Sequence, residues 1–328
     1  MSPSAAVIWQ RRPRALRDST TKPLTHRLIA PSIHHAPVTR FAPAPTGLLH
    51  LGHLVNAVYV WGLARRHHGR VLLRIEDHDR GRSRDHFESA ILDDLEWLGL
   101  EPDEPPIEAL RCGPSPYRQS DRANRYAEVL AGLRHRGLVY PCRCSRRDIA
   151  DTGAAPPGAE ARYPGTCREL GLSSDEAVGL RVIMDPGEEK FVDVLLGTHH
   201  QTPARQCGDV LVRDRLGQWT YQFAVTVDDW DQEVDLVIRG EDLLSSTGRQ
   251  IRLARMIGRP DPPTFLHHPL VLRPSGEKLS KANRDTGLAE LRQAGVSPET
   301  LLGEAAFRGG LLEEARPLEV EELPGLFG

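Results

Sequence analysis

His50 and His53 stand three residues apart in the stretch Arg40-Phe41-Ala42-Pro43-Ala44-Pro45-Thr46-Gly47-Leu48-Leu49-His50-Leu51-Gly52-His53, and an apolar-periodic run follows them directly. Two imidazoles at a helix start can donate to an anion, and the helix N-terminus offers its unpaired N–H groups to the same anion. Gly52 adds no Cβ that would keep a flat adenine ring away. This set suits a nucleotide phosphate. A second set lies far downstream, in Lys278-Leu279-Ser280-Lys281, beyond the turn Pro274-Ser275-Gly276. Two lysines in such a loop can serve a triphosphate as point charges, or they can be an ordinary solvated surface.

Carboxylates and guanidinium groups supply a third kind of chemistry. Residues 71–75 read as a short buried strand ending at Glu76 and Asp77, where Glu76 can hold a substrate ammonium or pair with Arg80 or Arg82. Residues 234–238 read as another strand, ending at Arg239. That arginine can clamp a carboxylate or pair with Glu241 or Asp242, and Tyr221 can hydrogen-bond an amino acid. Cys142, Cys144 and Cys167 suit a structural zinc, because thiolates are its preferred soft ligands. The spacing leaves the fourth ligand open among Tyr163, Asp148, Asp151 and Glu160, and three reduced structural cysteines are the plainer alternative.

These groups need elements to hold them. The Pro-Ala-Pro-Thr-Gly segment cannot be helical, so an extended entry turns into a helix that runs to Gly69 as its C′ residue. A second helix is expected from Ser83 to Gly99, burying Phe87, and a third to Arg136 with Ser120 or Asp121 as N-cap. Its arginines 118, 122, 125, 134 and 136, with Arg143, Arg146 and Arg147 after it, form a candidate phosphate-facing patch or a solvated face. From Gly208 the pattern gives strands at 209–213, 219–225 and 234–238. A helix follows at 245–258, capped by Ser245 or Ser246, and then shorter helices to the end.

The 328 residues suffice for one sizeable core and an insertion. Hydrophobic content of 39% and a net charge of −3 describe an ordinary globular protein, so any RNA surface must be local. No apolar run approaches the ~20 residues that span a bilayer. Five cysteines without a signal peptide point to a reducing compartment, and the cytoplasm is expected. Residues 1–36 are basic, rich in Pro, Ser and Thr, and read as a disordered extension.

In order along the chain, the histidine and lysine segments resemble the HIGH and KMSKS signatures of class I aminoacyl-tRNA synthetases. Leu73-Arg74-Ile75-Glu76-Asp77-His78-Asp79-Arg80, Tyr117-Arg118-Gln119-Ser120 and Leu236-Val237-Ile238-Arg239-Gly240-Glu241-Asp242 resemble blocks of the glutamyl branch. The likeness is greatest to the glutamyl-Q tRNA(Asp) synthetases, which carry the C-x-C, Y-x-x-x-C arrangement. It implies an α/β fold, with a Rossmann-like catalytic domain at 37–258, a zinc-containing acceptor-type insertion at about 112–207, and a short helical stem-contact-like region at 259–328. It also implies ATP with Mg²⁺ as substrate, at His50, Gly52, His53, Lys278 and Lys281, and one structural Zn²⁺ with Tyr163 as fourth ligand. Glutamate contacts are implied from Arg40, Phe41, Ala42, Pro43, Ala44, Glu76, Tyr221 and Arg239.

The implied activity is activation of L-glutamate and its transfer to queuosine of tRNA(Asp) by a monomer. The alternatives are a truncated glutamyl-tRNA synthetase charging a tRNA 3′ end, and a non-enzymatic tRNA-binding relative. Fewer than about 50 residues follow Lys281, below the usual size of an independent anticodon-reading domain. Two departures stand out: Ala44 and Ala282 replace the serines usual in that family.

Overall fold

A computed structural model describes residues 33, 35–151, 161–173, 178–271 and 287–328. Lys278 and Lys281 lie outside the described residues, as does nearly all of the basic N-terminal segment. The end of that segment is anchored: Ile33 is buried, and the His35 ring pairs with Asp235 at 2.9 Å.

Strand β1 (Val38–Phe41) leads through the proline segment into α1 (Leu51–Arg66), which returns to β2 (Arg70–Leu73) parallel to β1. Helices α2 (Asp85–Trp97) and α3 (Ile107–Arg111) follow, then a 3₁₀ turn at Gln119–Arg122 and α4 (Ala123–His135). The next part carries β3 (Val139–Cys142), α5 (Arg146–Ala150), β4 (Gly179–Val182), β5 (Glu189–Asp193), β6 (Gly197–Gln201), α6 (Pro203–Gln206) and β7 (Val210–Arg213). After it come α7 (Tyr221–Asp231), β8 (Leu236–Gly240), α8 (Thr247–Met256), β9 (Thr264–His268), α9 (Leu288–Gln293) and α10 (Pro298–Arg308). A 3₁₀ segment at Val320–Phe327 ends the fold.

The sheet strands run in the order β6-β5-β9-β8, with β8 parallel to β9 and β9 parallel to β5. Strand β8 lies beside β1. The Asp235 N–H donates to the Val38 carbonyl at 3.0 Å, and the Arg40 and Asn56 side chains donate to the Ile238 carbonyl at 3.1 and 3.2 Å. Side chains thus stand in for ladder bonds where the strands are apart. The chain leaves β1 toward β2 on one side while β8 flanks it on the other, which makes the C-terminal end of β1 a switch point where ligands of such sheets bind.

Helix α1 is apolar almost all round, as expected of a helix covered on every side. It carries the main core with α2, α9, α10 and Phe327. A second core joins α4, α7 and α8 to the antiparallel sheet β3-β4-β7.

Several expected boundaries move. Residues 219–225 are not a strand: α7 starts at Tyr221, and the aromatic and β-branched residues there are buried on a helix, because tertiary burial overrides β-propensity. The left-handed residue after α1 is His68 (φ 55°), not Gly69; Gly69 is needed because a Cβ would come within 2.3 Å of the Pro37 carbonyl oxygen. Neither Ser120 nor Asp121 caps α4, since a 3₁₀ turn intervenes, and the Asp121 carboxylate accepts from the Ser115 N–H instead. The Ser246 side chain does not cap α8. Helix α2 spans Asp85–Trp97, and Phe87 stays half-exposed. Strands β5, β6 and β9 share one sheet with β8. Residues 288–327 have no core of their own and pack on α1.

Candidate active site

The turn into α1 is built by its histidines. His50 is the N-cap in an extended conformation, and its Nδ1 accepts the Gly52 N–H at 3.1 Å; His53 Nδ1 accepts the His50 N–H at 3.1 Å. This is a capping box with imidazoles in place of the usual serine and glutamate. Each ring accepts through Nδ1, so in its neutral form each carries its proton on Nε2. A Cβ on Gly52 would lie 3.0 Å from the His50 ring, so glycine also makes room for the cap.

The segment before this turn is fixed from the β2 side. Carbonyls of Phe41, Pro43 and Pro45 accept the N–H groups of Arg74, Glu76 and Arg84, each at 3.0 Å. Phe41, Pro43 and Pro45 are therefore buried, while Ala42 and Ala44 keep part of their surface. The first residue described after 272–286, Gly287, lies against Leu48, and the Leu288 N–H donates to the Leu49 carbonyl at 2.8 Å. One flank of the lysine segment is thus tied to the histidine turn.

Glu76 pairs with neither Arg80 nor Arg82, which hold Asp77 and Asp79. It is bonded to Arg74 at 3.0 Å, and Arg74 also reaches Asp229 at 2.8 Å. Arg40 meets the same Asp229 at 3.1 Å. Burial raises the Glu76 carboxyl above its ordinary value, against the pull of Arg74, Arg40 and His78. Burial acts the same way on Asp229, but there Arg40 and Arg74 win and hold it low. The Arg40 side chain is committed to Asp229 and Ile238, which leaves only its backbone and its charge for a ligand.

Arg239 pairs with neither Glu241 nor Asp242. It is 5% exposed, and its described hydrogen-bond partners are all neutral. Nε donates to His267 Nε2 at 3.0 Å, Nη1 to the Gln250 amide oxygen at 2.6 Å, and Nη2 to the Thr247 hydroxyl at 2.9 Å. Burial lowers its proton affinity, and Tyr221 opposes that shift. A buried cation with neutral partners favours an anionic ligand, which would supply the missing counter-charge.

The sequence reading missed the groups that hold this arginine and the acids behind Glu76. Adjacent Asp228 and Asp229 in an apolar helix, and Arg74 between Leu73 and Ile75 in an apolar strand, were the signal: buried charges need partners.

Three arginines of the expected basic patch are taken up by acids. Arg118 binds Glu88 and Asp121, Arg122 binds Asp228 and Asp231, and Arg125 binds Asp231 and Glu128. These pairs join the turn before α4 and the first turn of α4 to α2 and α7. Arg134, Arg143, Arg146 and Arg147 remain exposed.

The thiols of Cys142, Cys144 and Cys167 do converge, all within 4.8 Å of one another. The Tyr163 hydroxyl lies 3.4 Å from Cys142 Sγ and accepts the Cys167 N–H at 2.9 Å. Arg181 stacks on the Tyr163 ring at 3.7 Å and donates to Cys142 Sγ at 3.2 Å. Burial and Cys167 push the Cys144 thiol up to about 12; Cys167, despite its burial, is held low by the Arg143 backbone and by Cys144. Gly208 is obligatory beside it, since a Cβ would come within 2.0 Å of the Tyr163 carbonyl oxygen. A cavity of about 370 Å³ extends from this cluster to the start of α7, lined by Tyr163, Arg181, Asp209, Tyr221, Gln222 and Arg249.

A family model described as tRNA synthetases class I (E and Q), catalytic domain, matches residues 37–320. A glutamyl-Q tRNA(Asp) synthetase of Symbiobacterium thermophilum is 44% identical over 88% of this chain and 91% of its own length. Glutamate–tRNA ligase 2 of Syntrophus aciditrophicus is 38% identical over 88% of this chain and 60% of its own. Among solved structures, a glutamate tRNA ligase from Elizabethkingia meningosepticum in complex with its amino acid superposes with a TM-score of 0.71 at 27% identity. That match covers 88% of this chain and 64% of the ligase, so the chain spans a little under two thirds of that relative.

Proposed function

Since the chain belongs to the class I tRNA synthetase family of the E and Q type, we propose that it activates L-glutamate with ATP and transfers the glutamyl group to queuosine of tRNA(Asp). Arg239 carries this reading. Its buried guanidinium, held by three neutral acceptors, is matched by the side-chain carboxylate of glutamate, whereas glutamine would leave it without a counter-charge. Glu76 attracts the α-ammonium, Tyr221 hydrogen-bonds the amino acid, and residues 40–44 line the site. Ala44 offers no hydroxyl there.

In the first step a glutamate α-carboxylate oxygen attacks the α-phosphorus of ATP and pyrophosphate leaves. The protein supplies positioned charge rather than covalent help. The start of α1, with His50, Gly52 and His53, holds the phosphates; Lys278 and Lys281 are assigned to the departing pyrophosphate, and Mg²⁺ enters with ATP. In the second step a cyclopentenediol hydroxyl of queuosine attacks the acyl carbon and AMP leaves. The cavity between Tyr221 and the cysteine cluster gives an RNA group room beside the amino acid.

Cys142, Cys144, Cys167 and Tyr163 would hold one structural zinc. A tetrahedral ion with ~2.3 Å bonds to sulfur keeps its thiolates about 3.8 Å apart, a spacing the cluster accommodates. The ion would cross-link the loops that wall that cavity.

The test is labelled glutamate and ATP with tRNA(Asp) prepared with and without queuosine. Label is expected on the queuosine-containing RNA alone. Equal labelling, or label at the 3′-terminal adenosine, would favour charging of a tRNA 3′ end, the reading that the likeness to glutamate–tRNA ligase 2 keeps open.

A further inference from the structure

His267 stands between a buried acid and the buried arginine. Asp193 Oδ2 is 2.6 Å from its Nδ1, and Arg239 Nε is 3.0 Å from its Nε2. The three residues are 1%, 0% and 5% exposed for Asp193, His267 and Arg239. A guanidinium N–H can only donate, so Nε2 presents its lone pair; the carboxylate accepts, so Nδ1 carries the proton. The Thr247 hydroxyl, 3.3 Å from Nε2, fits the same tautomer. Asp193 is itself fixed, accepting the N–H groups of Leu195 and Leu196 at 3.0 Å each and that of His267 at 3.1 Å.

We propose that His267, set by Asp193, is the positioning residue that makes Arg239 selective for an acidic substrate; this rests on the assignment of Arg239 to the glutamate side chain. A carboxylate in place of the imidazole would bind the same guanidinium equally well but would cancel its charge. The neutral ring orients Arg239 and keeps Asp193 one ring-width away, so the positive charge is left to the ligand. Thr247 and Gln250 complete a neutral cradle. Asp229, which also acts on Arg239, is already bound by Arg40 and Arg74.

Two substitutions in the full chain separate orientation from mere packing. His267→Gln can place an amide oxygen near the Nε2 position and keep the bond to Arg239; His267→Asn keeps a donor toward Asp193 and loses Arg239. In glutamate-dependent ATP–pyrophosphate exchange, the Gln variant is expected to hold its KM for glutamate within about tenfold, and the Asn variant to raise it about 10²-fold, with KM for ATP steady in both. A role in packing alone predicts the reverse order, because Asn preserves the Asp193 contact. His267→Glu should abolish the preference for glutamate over glutamine. The ring nitrogens of the unliganded wild type, read by ¹⁵N chemical shift, should show Nδ1 protonated and Nε2 bare. A protonated Nε2, or an Asn variant as good as Gln, would overturn the proposal. Absence of glutamate-dependent exchange in the wild type would sink the functional reading, while the nitrogen shifts would still decide the tautomer.

Discussion

Three different neutral acceptors receive the N–H groups of Arg239, and the fork geometry of a guanidinium is what lets one side chain use all three. A lysine has a compact, flexible ammonium and cannot span them. Arg239→Lys should therefore raise KM for glutamate roughly 10²-fold while leaving KM for ATP unchanged, as read by pyrophosphate exchange. An unchanged glutamate KM would remove Arg239 from the substrate site. The buried acid Asp94 has no such partner: its Oδ2 makes no hydrogen bond among the described residues. Burial, opposed by Arg292, pushes its carboxyl up to about 6. Its folded pKa lies above the unfolded value, so its cost is absent at low pH and grows as pH rises from about 4 to about 6. Asp94→Asn should stabilise the protein at pH 7.5 by about 1–3 kcal/mol and do little at pH 4, measured by urea unfolding.

Helix α10 meets the returning chain at Gly303, where a Cβ would lie 1.6 Å from the Arg316 carbonyl oxygen. Backbone cannot yield as a flexible side chain does, so Gly303→Ala should destabilise by more than about 2 kcal/mol. Gly132 in α4 has nothing within 4 Å of its missing Cβ. There alanine only restricts the unfolded chain and suits the helix, and should stabilise by about 0.5–1 kcal/mol. Thermal or urea unfolding of both variants checks the opposite signs; destabilisation by the second would show that Gly132 is packed rather than open. An ion held by the cysteine cluster would cross-link its loops, so a chelator should make residues near 142–167 susceptible to limited proteolysis while pyrophosphate exchange falls less. Elemental analysis finding no zinc in untagged protein would refute that site.

Across the molecule, the parallel strands β1, β2, β8 and β9 bring His50, Glu76 and Arg239 to one edge, and His268 closes that edge against α1. His268 Nε2 meets the Asn56 amide at 3.2 Å and its ring stacks on Tyr59 at 5.2 Å. Burial lowers it to about 4, so the folded protein keeps it neutral where the unfolded chain is protonated. Stability from this group is whole above about pH 6.5 and is lost as pH falls toward 4, by up to about 3 kcal/mol. Asp94 slopes the other way over part of that window, so the informative quantity is the difference between wild type and His268→Gln. That difference should shrink in favour of the variant from pH 7 to pH 4.5; parallel curves would show that His268 titrates normally.

The sequence alone determined the histidine turn, Glu76 and Arg239 at strand ends, and the three thiols of Cys142, Cys144 and Cys167 as one candidate cluster, while it left Tyr163 one of four possible partners. Each of these is local, set by proline and glycine placement, by a strand ending in a charge, or by thiols of close spacing. Tertiary structure decided the rest. It made 221–225 a helix, because burial among α4, α8 and the β3-β4-β7 sheet outweighs β-propensity. It turned Arg118, Arg122 and Arg125 from a phosphate surface into ties between helices, because acids 30 and about 106 residues away in sequence fold against them. It also gave Arg239 a neutral cradle from Thr247, Gln250 and His267 in place of the nearby Glu241 and Asp242. Which partner a charge finds depends on which strands and helices pack together, and no spacing along the chain records that.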